Sequence, residues 1–157
     1  MDITRLDRLT CIRFATEKDL GKVLEIDKLS FSRQWDYQDF EAALKDLFLV
    51  FEKTEILGFL IGCCWETEKK AILMRMAVHP GHRRKRIGTM LIESALESLT
   101  RMNILEVELD VEVVKPEVVK LCESLGFKVT RVVPTNHEEN DEVYVMKLRL
   151  NTQSHAA

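Results

Sequence analysis

The sequence predicts an α/β (α+β) fold built on a mixed sheet with helices on both faces. Three observations predict it. Two apolar runs, 48–51 and 56–65, flank a short polar turn and read as an antiparallel hairpin. A strand–helix–strand pattern follows over 71–112. Within it, Leu105, Val107, Leu109 and Val111 alternate with Glu106, Glu108, Asp110 and Glu112, the period of a strand with one apolar and one acidic face.

The elements follow in order. Cys11 to Ala15 reads as a short strand, and Thr16 opens a helix with Asp19 as its capping-box partner. Leu20, Val23, Leu24, Ile26 and Leu29 form that helix's apolar stripe. The pattern breaks around Phe31 to Trp35, and Asp36 caps a second helix carrying Phe40, Ala43, Leu44 and Leu47 on one face. After the hairpin, a strand over Ala71 to Val78 is stopped by Pro80 and Gly81. A helix spans about 84–102, with Ile87, Met90, Leu91, Ala95 and Leu99 as its buried stripe. Beyond the alternating strand, Pro116 suits the first turn of a helix that ends at Gly126. Strands at 128–133 and 142–150 close the fold around a polar, acidic loop. The 157 residues read as one domain over 1–150 with a frayed tail at 151–157.

Composition narrows the function. Lys plus Arg is 23 and Asp plus Glu 26, a net charge of −3, so the chain is no general nucleic-acid coat. No apolar run approaches the ~20 residues that cross a bilayer, and the charged N-terminus has no apolar core of a secretory signal. Cys11, Cys63, Cys64 and Cys122 have no CxxC spacing, and metal-ligand spacing is missing, so reduced thiols, a cytoplasmic location and no metal are expected.

The chemistry concentrates in residues 74–92. There a strand ends, a Pro/Gly turn follows, and a helix opens in a basic cluster. The first amides of a helix have no internal acceptors and sit at the positive end of its dipole, so a phosphate placed there collects several main-chain hydrogen bonds. Arg83, Arg84, Lys85 and Arg86 add charge, Gly88 leaves room for close approach, and Thr89 offers a hydroxyl. The run fits neither a Walker loop nor GxGxxG; a solvated basic patch or a nucleic-acid contact is the alternative, and the latter lacks a second basic patch and interleaved aromatics.

Val78-His-Pro followed by Arg83-Arg-Lys-Arg-Ile-Gly88 resembles motif A, [RQ]-x-x-G-x-[GA], of the GNAT superfamily of N-acetyltransferases. Glu123-Ser-Leu-Gly-Phe127 resembles that superfamily's motif B ending, and the likeness covers about 11–150. Within the superfamily the chain looks most like bacterial enzymes that acetylate a ribosomal protein's N-terminal alanine. That likeness rests on Ile26-Asp27, Phe31, Trp35, Phe40, Leu109-Asp-Val111 and Pro134-Thr135.

The resemblance implies a GNAT-like fold, with a central, mostly antiparallel twisted sheet of about seven strands. It implies acetyl-CoA as co-substrate, held by Met76, Ala77 and Val78 and by the main chain from Arg84 through Ile87 and Gly88 to Thr89, with basic side chains of Arg83, Lys85 and Arg86 nearby. The acceptor amine attacks the thioester directly, with Asp110 at the position of the base and Cys122 at that of a tyrosine acid. Phe31, Trp35 and Tyr37 would wall the acceptor groove, with core packing as their alternative. The acceptor is a protein or peptide N-terminus, with a small amine as alternative, and a homodimer is the implied assembly. A non-catalytic acyl-CoA sensor is the other class of reading.

Three departures from the family's pattern follow. The first Gly of motif A is Arg86, which fits only if its φ is ordinary and its side chain points away, a common Asn is Lys115, which can meet the coenzyme by charge, and, most important, the tyrosine acid is Cys122. The acidic row of the strand and the acids of loop 137–142 suggest a negative mouth attracting a cationic amine.

Overall fold

The structure is a computed structural model, and it describes residues 10–83, 85–112, 115–134 and 142–150. Seven strands hydrogen-bond in the order β1-β2-β3-β4-β5-β7-β6, matching the expected mixed sheet. They are β1 (Ile12–Phe14), β2 (Leu47–Glu52), β3 (Ile56–Trp65), β4 (Lys70–Val78), β5 (Glu106–Glu112), β6 (Lys128–Pro134) and β7 (Glu142–Arg149). Among the described residues, the helices α1 (Leu20–Ser30), α2 (Tyr37–Ala43), α3 (Ile87–Arg101) and α4 (Pro116–Ser124) join them. The chain divides into two compact units, one holding residues up to Cys63 with Arg75–Glu97, the other holding Cys64–Met74 with the residues from Ser98 on.

In the first unit, β1, β2 and β3 form an antiparallel meander, with Leu49 opposite Phe14 and Leu60. Thr16 ends β1's extension, and its N–H donates to the Asp19 carboxylate at 2.8 Å, so a short 3-10 turn feeds α1. Arg13 grips the same carboxylate through both terminal nitrogens, at 2.8 and 2.9 Å. Asp36 caps α2 as the sequence indicated, accepting from the Asp39 N–H at 2.9 Å. The core joins Leu20, Val23 and Ile26 of α1 to Phe40, Phe48, Val50, Phe59 and Ala77. Phe40 meets Phe59 edge-on at 5.7 Å between ring centres, a favoured aromatic geometry.

Two expectations here need correction. Leu29 is 57% exposed instead of lining the α1 stripe. It lies nine residues past Leu20, about half a turn out of phase, and the buried position goes to Asp27. Leu47 begins β2 rather than ending α2, because the helix stops at Ala43.

In the second unit, β4 and β5 run parallel from Lys70↔Glu106 to Leu73↔Leu109. β7 lies between β5 and β6, antiparallel to both. Pro116 takes the first turn of α4, where its missing N–H costs nothing. The helix ends on a Schellman turn: Gly126 (φ +103°) donates to the Glu123 carbonyl at 3.0 Å and Phe127 to that of Cys122 at 3.1 Å. Gly126 is needed there, since the left-handed backbone strains any side-chain-bearing residue.

Candidate active site

The end of β4 and the start of α3 carry the candidate coenzyme residues of the first unit. His79 N–H donates to the Leu57 carbonyl at 2.8 Å, tying the exit of β4 to β3. The His79 ring nitrogen Nδ1 accepts the Gly81 N–H at 3.1 Å, which bends the chain through a 3-10 turn at Pro80–His82. Arg83 then folds back: Nε donates to the Val78 carbonyl at 3.0 Å and Nη2 to the Ser30 hydroxyl at 3.2 Å. Its guanidinium holds the turn in place as well as adding charge. Arg84 lies outside the described residues; Lys85 is half-buried and Arg86 exposed.

Helix α3 starts at Ile87, three residues later than the sequence indicated. The reason is Arg86, whose φ of +67° is left-handed and cannot continue a right-handed helix backwards. The condition set for a non-glycine residue there, an ordinary φ, is not met. Arg86 keeps the backbone geometry for which the motif uses glycine, and it carries the strain.

The first helical hydrogen bond runs from Met90 N–H to the Arg86 carbonyl at 3.0 Å. The amides of Ile87, Gly88 and Thr89 precede that ladder, and among the described residues none has a backbone acceptor. A Cβ on Gly88 would stand 3.5 Å from Met76 Cε and 3.9 Å from Val78 Cγ2. The structure thus brings Met76, Val78 and Gly88 together, with Ala77 buried between the two strand residues. Leading amides without a backbone acceptor among the described residues, beside a side-chain-free position and two basic residues, fit an anionic diphosphate.

Phe31, Trp35 and Tyr37 separate. Phe31 and Trp35 stack on the Arg75 guanidinium, 4.0 and 5.1 Å from ring centre to Cζ. Tyr37 opens α2 and is 42% exposed. Arg75 in turn clamps Asp27, from Nε to Oδ1 at 2.7 Å and from Nη2 to Oδ2 at 3.0 Å. The sequence reading gave Arg75 no role and used Asp27 only as a point of family likeness. A signal existed, since an Asp in phase with Leu20 and Val23 on a buried helix face needs a cation.

Asp110, Lys115 and Cys122 belong to the second unit. Asp110 is exposed, whereas Glu106 and Glu108 of the same acidic row are half-buried. Its carboxyl is held above the usual carboxylate range, first by loss of surrounding water and then by Glu108, with Arg131 opposing. The row is not uniformly solvated. Glu108 is reached by Lys70 at 3.6 Å and Lys147 at 3.8 Å, and Lys147 also reaches Glu106 at 3.7 Å. These lysines, rather than an incoming amine, relieve the repulsion at Glu106 and Glu108. Residues 137–141 of the acidic loop, and Thr135, lie outside the described residues.

Lys115 is exposed at the N-terminal cap of α4. Cys122 is 1% exposed, and burial pushes its thiol up to about 11. Among the described residues no group of three or more His, Cys, Asp or Glu could hold a metal ion. Among the described residues no helix is long and apolar enough to cross a membrane.

The chain is similar over 86% of its length to an N-alpha-acetyltransferase of Sulfurisphaera tokodaii, at 26% identity and 90% of that protein. It resembles the solved structure of Ard1 from Thermoplasma volcanium with a TM-score of 0.80 at 23% identity, covering 88% of this chain and 96% of that one. The ribosomal-protein-S18-alanine N-acetyltransferase from Escherichia coli is similar at TM-score 0.81 and 20% identity, over 93% and 95% of the two chains. A family model described as the acetyltransferase (GNAT) family matches residues 13–127, across the capped turn and the Leu-Gly-Phe ending alike. With that match added to the β4–α3 turn, the chain belongs to the acetyltransferase (GNAT) family.

Proposed function

We propose that the protein transfers the acetyl group of acetyl-CoA to the α-amine of a protein or peptide N-terminus. The observation that carries this is the β4–α3 turn: three leading amides of α3, a side-chain-free Gly88 and flanking basic residues, within a chain of the acetyltransferase family. The curated relative named above is an N-alpha-acetyltransferase, and the bacterial structural neighbour acts on an alanine of a ribosomal protein, which supports an α-amine acceptor.

Acetyl-CoA supplies an activated thioester. Ile87, Gly88 and Thr89 would hold its diphosphate by main-chain N–H groups, with Lys85 and Arg86 lending charge. Met76, Ala77 and Val78 would line the pantetheine, and Lys115 would add charge. Arg83 serves first as the brace of the turn.

The amine must be neutral to attack. An α-amine with pKa near ~8 loses its proton at neutral pH far more readily than a lysine near ~10.4. Asp110 would accept that proton, and its raised pKa makes it a better base than an ordinary aspartate. Cys122 is poorly suited to the acid's role. A proton moving from a thiol near 11 to an ordinary thiolate near ~8.5 goes uphill by about 3 kcal/mol. Its burial supports packing instead.

The test is acetyl-CoA turnover, read as released thiol, against N-terminal peptides and small amines. The proposal expects peptides to be consumed and small amines to be poor. Turnover confined to polyamines or amino acids would overturn the acceptor class. Thermal stabilisation by acetyl-CoA with no thiol released on any amine would identify a sensor.

A further inference from the structure

The connection between α1 and α2 has no regular structure of its own, yet its backbone is pinned at two points. Arg75 Nη2 donates to the Arg33 carbonyl at 2.7 Å. Trp35 N–H donates to Asp27 Oδ2 at 3.2 Å. The two rings of the connection, Phe31 and Trp35, stack on the same guanidinium. Every one of these contacts converges on the pair formed by Arg75 of β4 and Asp27 of α1.

That pair is buried, Asp27 fully and Arg75 with 12% of its side chain exposed. A buried ion pair is no bargain in stability, since an apolar pair of similar size often serves as well. This one does something an apolar pair cannot. It supplies an acceptor and a donor to irregular backbone that would otherwise lack partners. A lysine could not replace it, because only the planar fork reaches a carboxylate and a carbonyl while presenting a face to aromatic rings. Arg75 also directly precedes Met76, Ala77 and Val78 in β4.

We infer that Arg75 is a positioning residue: paired with Asp27, it latches the α1–α2 connection in the place where that segment walls the acceptor. This rests on the peptide acceptor proposed above and on the acceptor-wall role that the family resemblance implies for Phe31, Trp35 and Tyr37. The latch sets where the acceptor peptide lies relative to the strand that holds the acetyl group, and it touches neither reacting atom.

The experiment uses Arg75→Lys and, as a second variant without an uncompensated buried charge, Asp27→Asn/Arg75→Met. Two readouts are taken. The first is the rate of tryptic cleavage after Arg33, followed by mass spectrometry, which needs no turnover. The second is the KM for an N-terminal peptide set against the KM for acetyl-CoA. A released latch speeds cleavage after Arg33 by roughly tenfold or more, raises the peptide KM by about tenfold and leaves the acetyl-CoA KM within about twofold. Cleavage unchanged in both variants overturns the latch, whatever the enzyme's substrate proves to be. Faster cleavage with an unchanged peptide KM removes the connection from the acceptor site and sinks the positioning role. A rise in the acetyl-CoA KM alone also contradicts it. If the wild type consumes no peptide at all, the failure belongs to the functional reading, and cleavage after Arg33 still decides the latch.

Discussion

Arg75 donates to both carboxylate oxygens of Asp27, at 2.7 and 3.0 Å, and Asp27 has no exposed surface. A strand residue and a helix residue 48 positions apart are thereby fixed to each other. Removing one partner strands a charge away from water. Arg75→Met alone is expected to lose about 3–5 kcal/mol in urea unfolding, and Asp27→Leu/Arg75→Met to recover most of it. A single variant that stays within about 1 kcal/mol of the wild type would show that the pair is effectively solvated.

Arg86 carries strain that glycine would not. Its φ of +67° costs a side-chain-bearing residue about 1–2 kcal/mol, while glycine forfeits about 0.4–1 kcal/mol through the freer unfolded chain. Arg86→Gly should therefore be as stable as the wild type or up to about 1.6 kcal/mol more stable, measured by thermal unfolding without coenzyme. A clear loss of stability would mean that the Arg86 side chain makes contacts outweighing its backbone cost.

The pH profile tests Asp110. With its pKa raised, the carboxyl becomes an effective base only above the ordinary aspartate range near ~3.9, so the acid limb of kcat/KM should lie above that range. Glu108 raises the pKa and Arg131 lowers it. Glu108→Gln should move the limb down and Arg131→Gln should move it up. Asp110→Asn should cut kcat/KM by about 10²–10⁴-fold. A fall of less than about threefold would remove Asp110 as the base.

Cys122 separates packing from proton transfer. Cys122→Ala should lower the melting temperature, because the side chain is 1% exposed and its loss leaves a small void. Its kcat should stay within about threefold of wild type, far from the loss expected for a general acid. A folded variant with kcat reduced about a hundredfold would return the thiol to the mechanism.

Much of this was legible in local chemistry. The Asp36 cap, the Pro116 start, the Gly126 stop and the alternation of 104–112 each act within a few residues, and the structure has each where the sequence put it. The turn proposed to hold the diphosphate was legible for the same reason, as a strand end, a Pro/Gly turn and a basic helix start. What was not legible depends on distant partners. Nothing near Asp27 announces Arg75, and nothing near Glu106 and Glu108 announces Lys70 and Lys147. The place of β7 between β5 and β6 is likewise a matter of long-range pairing. The late start of α3 turned on one φ angle, which residue type suggested wrongly because Arg is seldom left-handed.

Gly88 offers the most direct test. A Cβ there meets only ordinary contacts with the flexible Met76 tip and with Val78, so the fold accommodates a side chain. The coenzyme does not, if its diphosphate lies on the leading amides of α3. Isothermal titration of acetyl-CoA into the wild type and Gly88→Glu should show binding to the first and at least about a hundredfold weaker binding to the second, with unfolding temperatures little changed. Equal affinity for the two proteins would place the coenzyme elsewhere and contradict the account.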